Sequence, residues 1–164
     1  MNGRQIHIDP FERNWMIFSA VLLVLVASAV AVAAFGLGIQ LPSPETRVDP
    51  RTVASDPNSP WSNPGLREVI PGKQYDAYIL AKTWQYLPAE IRVPVGAKVT
   101  FYLTSMDVQH GFNIRDTNVN FQIVPGQVSK LSTTFKTAGT YPYICTEFCG
   151  AAHAAMYGSV IVEP

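Results

Sequence analysis

The sequence predicts a mainly β fold, a sandwich or barrel of short strands, preceded by one membrane-spanning helix. Three observations predict it. No charged residue occurs from Trp15 to Leu41. From Tyr75 onward, short runs of alternating apolar and polar residues recur. Turn signals such as Pro125-Gly126 and Ala138-Gly139 separate those runs at intervals that suit a sandwich or barrel.

The elements follow in order. Residues 1–13 read as a short polar head, with Asp9 capping a helix that starts at Pro10. Residues 14–41 read as the membrane helix. About 25 helical residues at about 1.5 Å each span roughly 37 Å, against a hydrocarbon core of about 30 Å. Trp15 sits where an interfacial aromatic anchor belongs. The run exceeds the roughly 7–15 apolar residues of a signal peptide, so a retained anchor is expected. Flanking charge does not orient it, because Arg4 and Arg13 lie on one side and Arg47 and Arg51 on the other.

Residues 42–72 carry Pro42, Pro44, Pro50, Pro57, Pro60, Pro64 and Pro71, more than half of the 13 prolines. Proline at this density removes backbone donors and favours extended chain. The segment is expected to be a linker wrapping over a surface, with Val48, Val53 and Trp61 as docking points. Residues 73–164 form the β domain. Its expected strands are 75–80, 90–93, 98–104, 111–114, 119–123, 128–135, 141–144 and 158–162.

Lys+Arg and Asp+Glu both number 12, so the formal net charge is zero. That balance gives no reason to expect a nucleic-acid partner. It also leaves little long-range charge to steer a protein partner.

The chemistry concentrates in Cys145-Thr146-Glu147-Phe148-Cys149-Gly150-Ala151-Ala152-His153-Ala154-Ala155-Met156, which holds both cysteines of the chain. Two thiolates, an imidazole and a thioether are soft and borderline ligands of the kind copper prefers. A second histidine, His110, closes Asp107-Val108-Gln109-His110. His7 lies in the polar head and is read as uninvolved, and Met106 as a packing residue. A disulfide between Cys145 and Cys149 would close a very short loop and gain little entropy. Zinc would suit two Cys and two His, but Met156 is then unexplained. A single blue-copper ion needs one Cys, two His and a weak Met. The second thiolate is what that site does not require. Two bridging thiolates can hold two copper ions and share one electron between them. No general base stands beside the cluster, which favours an electron relay over bond-making chemistry.

The twelve-residue segment resembles the binuclear copper (CuA) motif C-x-E-x-C-G-x-x-H-x-x-M of cytochrome c oxidase subunit II. Asp107-Val108-Gln109-His110 resembles that family's D-V-x-H segment. One membrane span and a Pro-rich linker look like the one-span subunit II of B-family (ba-type) haem-copper oxidases. The resemblance implies a cupredoxin-like Greek-key barrel or sandwich on the periplasmic face, with the N-terminus cytoplasmic. It implies that Cys145 and Cys149 bridge two coppers. His110 and Met156 complete one copper, and His153 and the carbonyl of Glu147 the other. It implies an electron-entry subunit, fed by a c-type cytochrome or small copper protein. That subunit passes electrons to haem in the large subunit (subunit I), where dioxygen is reduced. Trp84 and Tyr86 resemble the family's aromatic segment for electron entry. Glu147 resembles a carboxylate that also holds a Mg or Mn ion shared with the large subunit. Two alternatives stay open: a CuA subunit of a nitric oxide reductase, and a membrane-anchored copper-binding or delivery module.

Overall fold

The structure, a computed structural model, describes residues 8–37 and 43–164. The expected polar head up to His7 and the expected boundary at 41/42 lie outside the described residues. The described chain forms two units, divided near Gln40.

The first unit is a helix, α1, over Pro10–Ala31, followed by a π-type turn at Val32–Gly36. Asp9 caps it, accepting the Phe11 N–H at 2.8 Å, and Pro10 takes the first turn, where a missing N–H costs nothing. The helix is apolar around its circumference and none of its residues is buried within the chain. Pro10–Gly36 is 27 residues, and an 18-residue stretch within it has a mean hydropathy of 2.7. At about 1.5 Å per residue, Pro10–Gly36 exceeds the thickness of a bilayer core of about 30 Å. The Ser28 hydroxyl donates to the Val24 carbonyl at 2.7 Å, so its polar atom is satisfied within the helix.

The second unit is a two-sheet, cupredoxin-like sandwich of eleven strands. The strands are β1 (Ser43–Arg47), β2 (Gly65–Ile70), β3 (Gln74–Lys82), β4 (Gln85–Leu87), β5 (Glu90–Pro94) and β6 (Lys98–Ser105). They continue with β7 (His110–Ile114), β8 (Asn120–Ile123), β9 (Gln127–Thr134), β10 (Gly139–Ile144) and β11 (Tyr157–Glu163). One sheet runs β1-β9-β6-β3-β2, with β4 paired to β3. The other runs β5-β11-β10-β7-β8. Two pairings, β3 with β6 and β5 with β11, are parallel. The remaining pairings are antiparallel.

Alternation sets the faces. Along β5, Ile91 and Val93 point inward while Glu90 and Arg92 point out, where Arg92 bridges Glu90 and Glu163. Phe101, Phe112, Phe121 and Tyr143 fill the centre, with Phe112 ring contacts at 4.8–5.8 Å to the other three. Pro142 is tolerated inside β10 because pairing with β7 begins only at Tyr143.

Residues 43–72, expected as a linker, wrap over a surface and also add two strands to the first sheet. Val53 and Trp61 are buried, in a small second core with Leu80 and Val128. Val48 packs against that core. The Trp61 indole donates to the Tyr102 carbonyl at 3.3 Å and meets the Tyr78 ring edge-on at 5.5 Å. Trp61→Ala is therefore expected to cost about 3–5 kcal/mol, the range for truncating a buried aromatic. The denaturant midpoint of the full chain measures it, and a loss under about 1 kcal/mol would show that the wrap is not part of the fold's stability.

Candidate metal centre

Three segments meet at one end of the sandwich. β7 starts at His110. The loop 145–156 joins β10 to β11, whose flanking residues Ile144 and Tyr157 are register partners. The loop's own ends are tied by the Cys145 N–H to the Met156 carbonyl at 3.1 Å. The third segment is the tight turn between β3 and β4, at Thr83 and Trp84.

All six ligand positions expected from the sequence come together. Cys145 and Cys149 are free and buried, with sulfurs 3.8 Å apart, too far for a disulfide bond. Cys149 Sγ lies 3.6 Å from His153 Nδ1 and 3.7 Å from Met156 Sδ. Cys145 Sγ lies 3.2 Å from the Glu147 carbonyl oxygen. A ring nitrogen of His110 and the two sulfurs all fall within 4.8 Å of one another.

His110 is fully buried. Its Nε2 is 2.9 Å from the Asp107 carboxylate, which fixes the ring. Its Nδ1 has no hydrogen-bond partner. A buried polar atom without a partner is costly in a native protein and asks for a ligand. A carboxylate-held imidazole whose other nitrogen is free is how a metal-binding histidine is normally supported. The donor set and the free Nδ1 therefore fit copper.

Asp107 is the main supporting residue, read from the sequence only as part of the D-V-x-H segment and given no role there. Its carboxylate takes the His110 ring, the Val108 N–H at 2.6 Å, the Thr83 N–H and the Ser105 hydroxyl at 3.1 Å. Burial pushes its acidity toward higher pKa, but the hydrogen bonds from His110, Thr83 and Val108 outweigh this and hold the carboxyl down at about 2. Its position three residues before His110 was the available signal. The Cys149 thiol is shifted the other way, raised first by burial and then by the neighbouring Cys145. The metal-free Cys149 thiol is thus held protonated at neutral pH, and metal binding must release that proton.

Gly111 is the second such residue. A Cβ on it would stand 2.1 Å from Thr146 Oγ1 and 2.6 and 2.8 Å from the backbone nitrogens of Thr146 and Glu147. The bare glycine lets β7 lie against the cysteine loop, and its N–H points at Cys145 Sγ from 3.4 Å.

Of the two aromatics expected at an electron-entry surface, Trp84 is 40% exposed and its indole N–H donates to the Cys149 carbonyl at 3.2 Å. Tyr86 is a correction. It is 1% exposed, because β4 alternates faces and turns it into the core. Its hydroxyl donates to the Gly111 carbonyl and its ring packs edge-on against Phe112 and Tyr143. Met106 also differs from expectation, being 38% exposed. With Val108 and Phe148 it leaves apolar surface beside the ligand segments. The Glu147 carboxylate accepts from the Gln122 amide at 3.1 Å and lines a polar cavity of about 650 Å³ with Asn120, Gln127 and Ser129.

Comparison with known proteins agrees with this geometry. Residues 74–163 match the family described as cytochrome c oxidase subunit II, periplasmic domain. The chain is 38% identical to a cytochrome c oxidase subunit 2 of Thermus thermophilus over 159 residues, which is 95% of this chain and 94% of that one. A second Thermus thermophilus subunit 2 is 43% identical over 118 residues, covering 71% of this chain and 86% of its own length. A chain of a solved heme-copper terminal oxidase dimer superposes with a TM-score of 0.76 at 35% identity, covering 93% of this chain and 99% of that one. Fold, donor cluster and end-to-end similarity lead to one conclusion: this chain belongs to the cytochrome c oxidase subunit II family.

Proposed function

We propose that the buried cluster is a two-copper centre through which this subunit accepts electrons and passes them to its oxidase. The observation that carries the reading is the convergence of six donor positions, two of them cysteine sulfurs 3.8 Å apart, with the His110 Nδ1 left free. In this reading Cys145, Cys149, His110, Met156, His153 and the Glu147 carbonyl would hold the two ions, with the two thiolates shared between them. When bound, the pair supplies a site that takes and gives one electron with little rearrangement.

The chain's own residues do the rest. Asp107 holds the His110 ring through Nε2 and leaves Nδ1 free to bind. Phe112 and Tyr143 are buried in the same core as Cys145, Cys149 and Met156 and keep water out. Trp84 links the surface to the ligand loop through the Cys149 carbonyl, which suits it as the point of electron entry. The exposed Met106, Val108 and Phe148 offer a docking surface to a donor that need not be highly charged.

As a subunit II, the chain works with the large haem-copper subunit and receives electrons from a cytochrome or other small redox donor. We place the N-terminus on the cytoplasmic side and the sandwich on the periplasmic side. The family's matched region is a periplasmic domain, and it follows a single apolar helix in sequence. One apolar helix followed by a proline-rich segment resembles the one-span subunit II of B-family oxidases, and on that likeness we assign the chain to that type. Glu147 is the carboxylate this chain would bring to a Mg or Mn ion shared with the large subunit. Relatives matched over nearly the whole chain are oxidase subunits, which favours this role over nitric oxide reduction or copper delivery.

Paramagnetic resonance of the copper-loaded full chain tests the centre. An electron shared equally by two coppers should give a seven-line hyperfine pattern. A four-line blue-copper spectrum, or failure to take up copper, would overturn it.

A further inference from the structure

The turn between β3 and β4, together with β4 itself, hydrogen-bonds to both ligand segments. Thr83 gives its backbone N–H to Asp107, the residue that holds His110. Trp84 gives its indole N–H to the Cys149 carbonyl at 3.2 Å. Tyr86 gives its hydroxyl to the carbonyl of Gly111, whose own N–H points at Cys145 Sγ. Three residues within four positions thus hold both the His110 segment and the cysteine loop. The loop is shaped to receive the indole. Gly150 stands at φ +116, and a Cβ there would lie 3.1 Å from the Trp84 indole nitrogen. A side chain at Gly150 would therefore both strain the backbone and crowd Trp84.

We propose that the β3–β4 turn is a clasp that fixes the distance between His110 and the cysteine loop, with Trp84 and Tyr86 as positioning residues for the metal ligands. This rests on the copper reading above and deepens it. Trp84 acts through its N–H, apart from any part its ring plays in electron entry. Tyr86 acts through its hydroxyl. Its buried ring aims that hydroxyl at the Gly111 carbonyl.

Two substitutions separate the hydrogen bonds from the ring packing. Trp84→Phe keeps an aromatic surface and removes the N–H. Tyr86→Phe keeps the buried ring and removes the hydroxyl. Two measurements on the full chain then apply. In the metal-free protein, amide hydrogen exchange in the loop 145–156 should quicken about fivefold in either variant, the factor that one hydrogen bond of ordinary net strength carries. In the copper-loaded protein, copper loss to a competing chelator should quicken by a similar factor, and the hyperfine splitting should change. Restoring a ring N–H donor with Trp84→His should recover part of the exchange protection lost in the first variant.

If wild-type and variant proteins show the same loop exchange, the same copper loss and the same spectrum, the clasp is overturned and Trp84 is a surface aromatic alone. Failure of the wild-type protein to give the two-copper spectrum would instead overturn the copper reading. The loop-exchange comparison still decides the clasp in that case, because it needs no metal.

Discussion

Replacing Cys149 with serine is expected to abolish the two-copper centre and leave at most one copper per chain. Cys149 Sγ is the atom shared by three of the cluster's contacts, to Cys145 Sγ, His153 Nδ1 and Met156 Sδ. Serine puts a hard hydroxyl, un-ionised at neutral pH, where a soft thiolate must stand. Cys145, the two histidines and Met156 remain, and these are the ligands of a single blue-copper site. The seven-line spectrum should therefore give way to a four-line one, with the copper content per chain halved. The fold should survive, because the side chain is small and most of its neighbours belong to the ligand set. Copper analysis and paramagnetic resonance on the purified variant check both points. An unchanged spectrum would refute the bridging role of Cys149.

Gly111→Ala is expected to damage both the fold and the site. The added methyl would collide with Thr146 Oγ1, which can rotate away, and with two backbone nitrogens, which cannot. Either β7 or the cysteine loop must shift. Overpacking of this kind costs about 1–3 kcal/mol. It should appear as a lower denaturant midpoint at unchanged slope. The same shift moves His110, the preceding residue, away from the sulfurs. Copper uptake should fall more than stability alone explains. A variant with wild-type midpoint and wild-type spectrum would show that the close approach is not needed.

The candidate ligands were legible in the sequence because their chemistry is rare and their spacing is short. Cys145, Cys149, His153 and Met156 occupy one hairpin connection, so sequence distance stood in for distance in space. The central strands were legible for a similar reason. β6 alternates at 98–104 in apolar and polar residue types, the strand period, although both of its faces are largely buried. Other elements gave no such signal. β2 is a mostly exposed edge strand with Arg67 and Glu68 at its centre, and charge on an edge reads like loop. β1 and β2 both sit in the proline-rich stretch, whose composition argues against sheet. β4 is three residues long, too short for a period to show, so the inward turn of Tyr86 could not be read. Gly111 looked like any glycine after a histidine, because the atoms it must avoid belong to Thr146 and Glu147, far along the chain.

The ladder between β7 and β10 has two register pairs, Tyr143 with Ile114 and Ile144 with Asn113, whereas β10 and β11 share six. His110 stands at the start of β7, and the remaining donors hang from the β10–β11 hairpin. Ions held by both would rivet the sheet across its thinnest seam. Copper then acts as a mechanical part as well as a redox one, and this seam is where the sheet would part first when the metal is stripped.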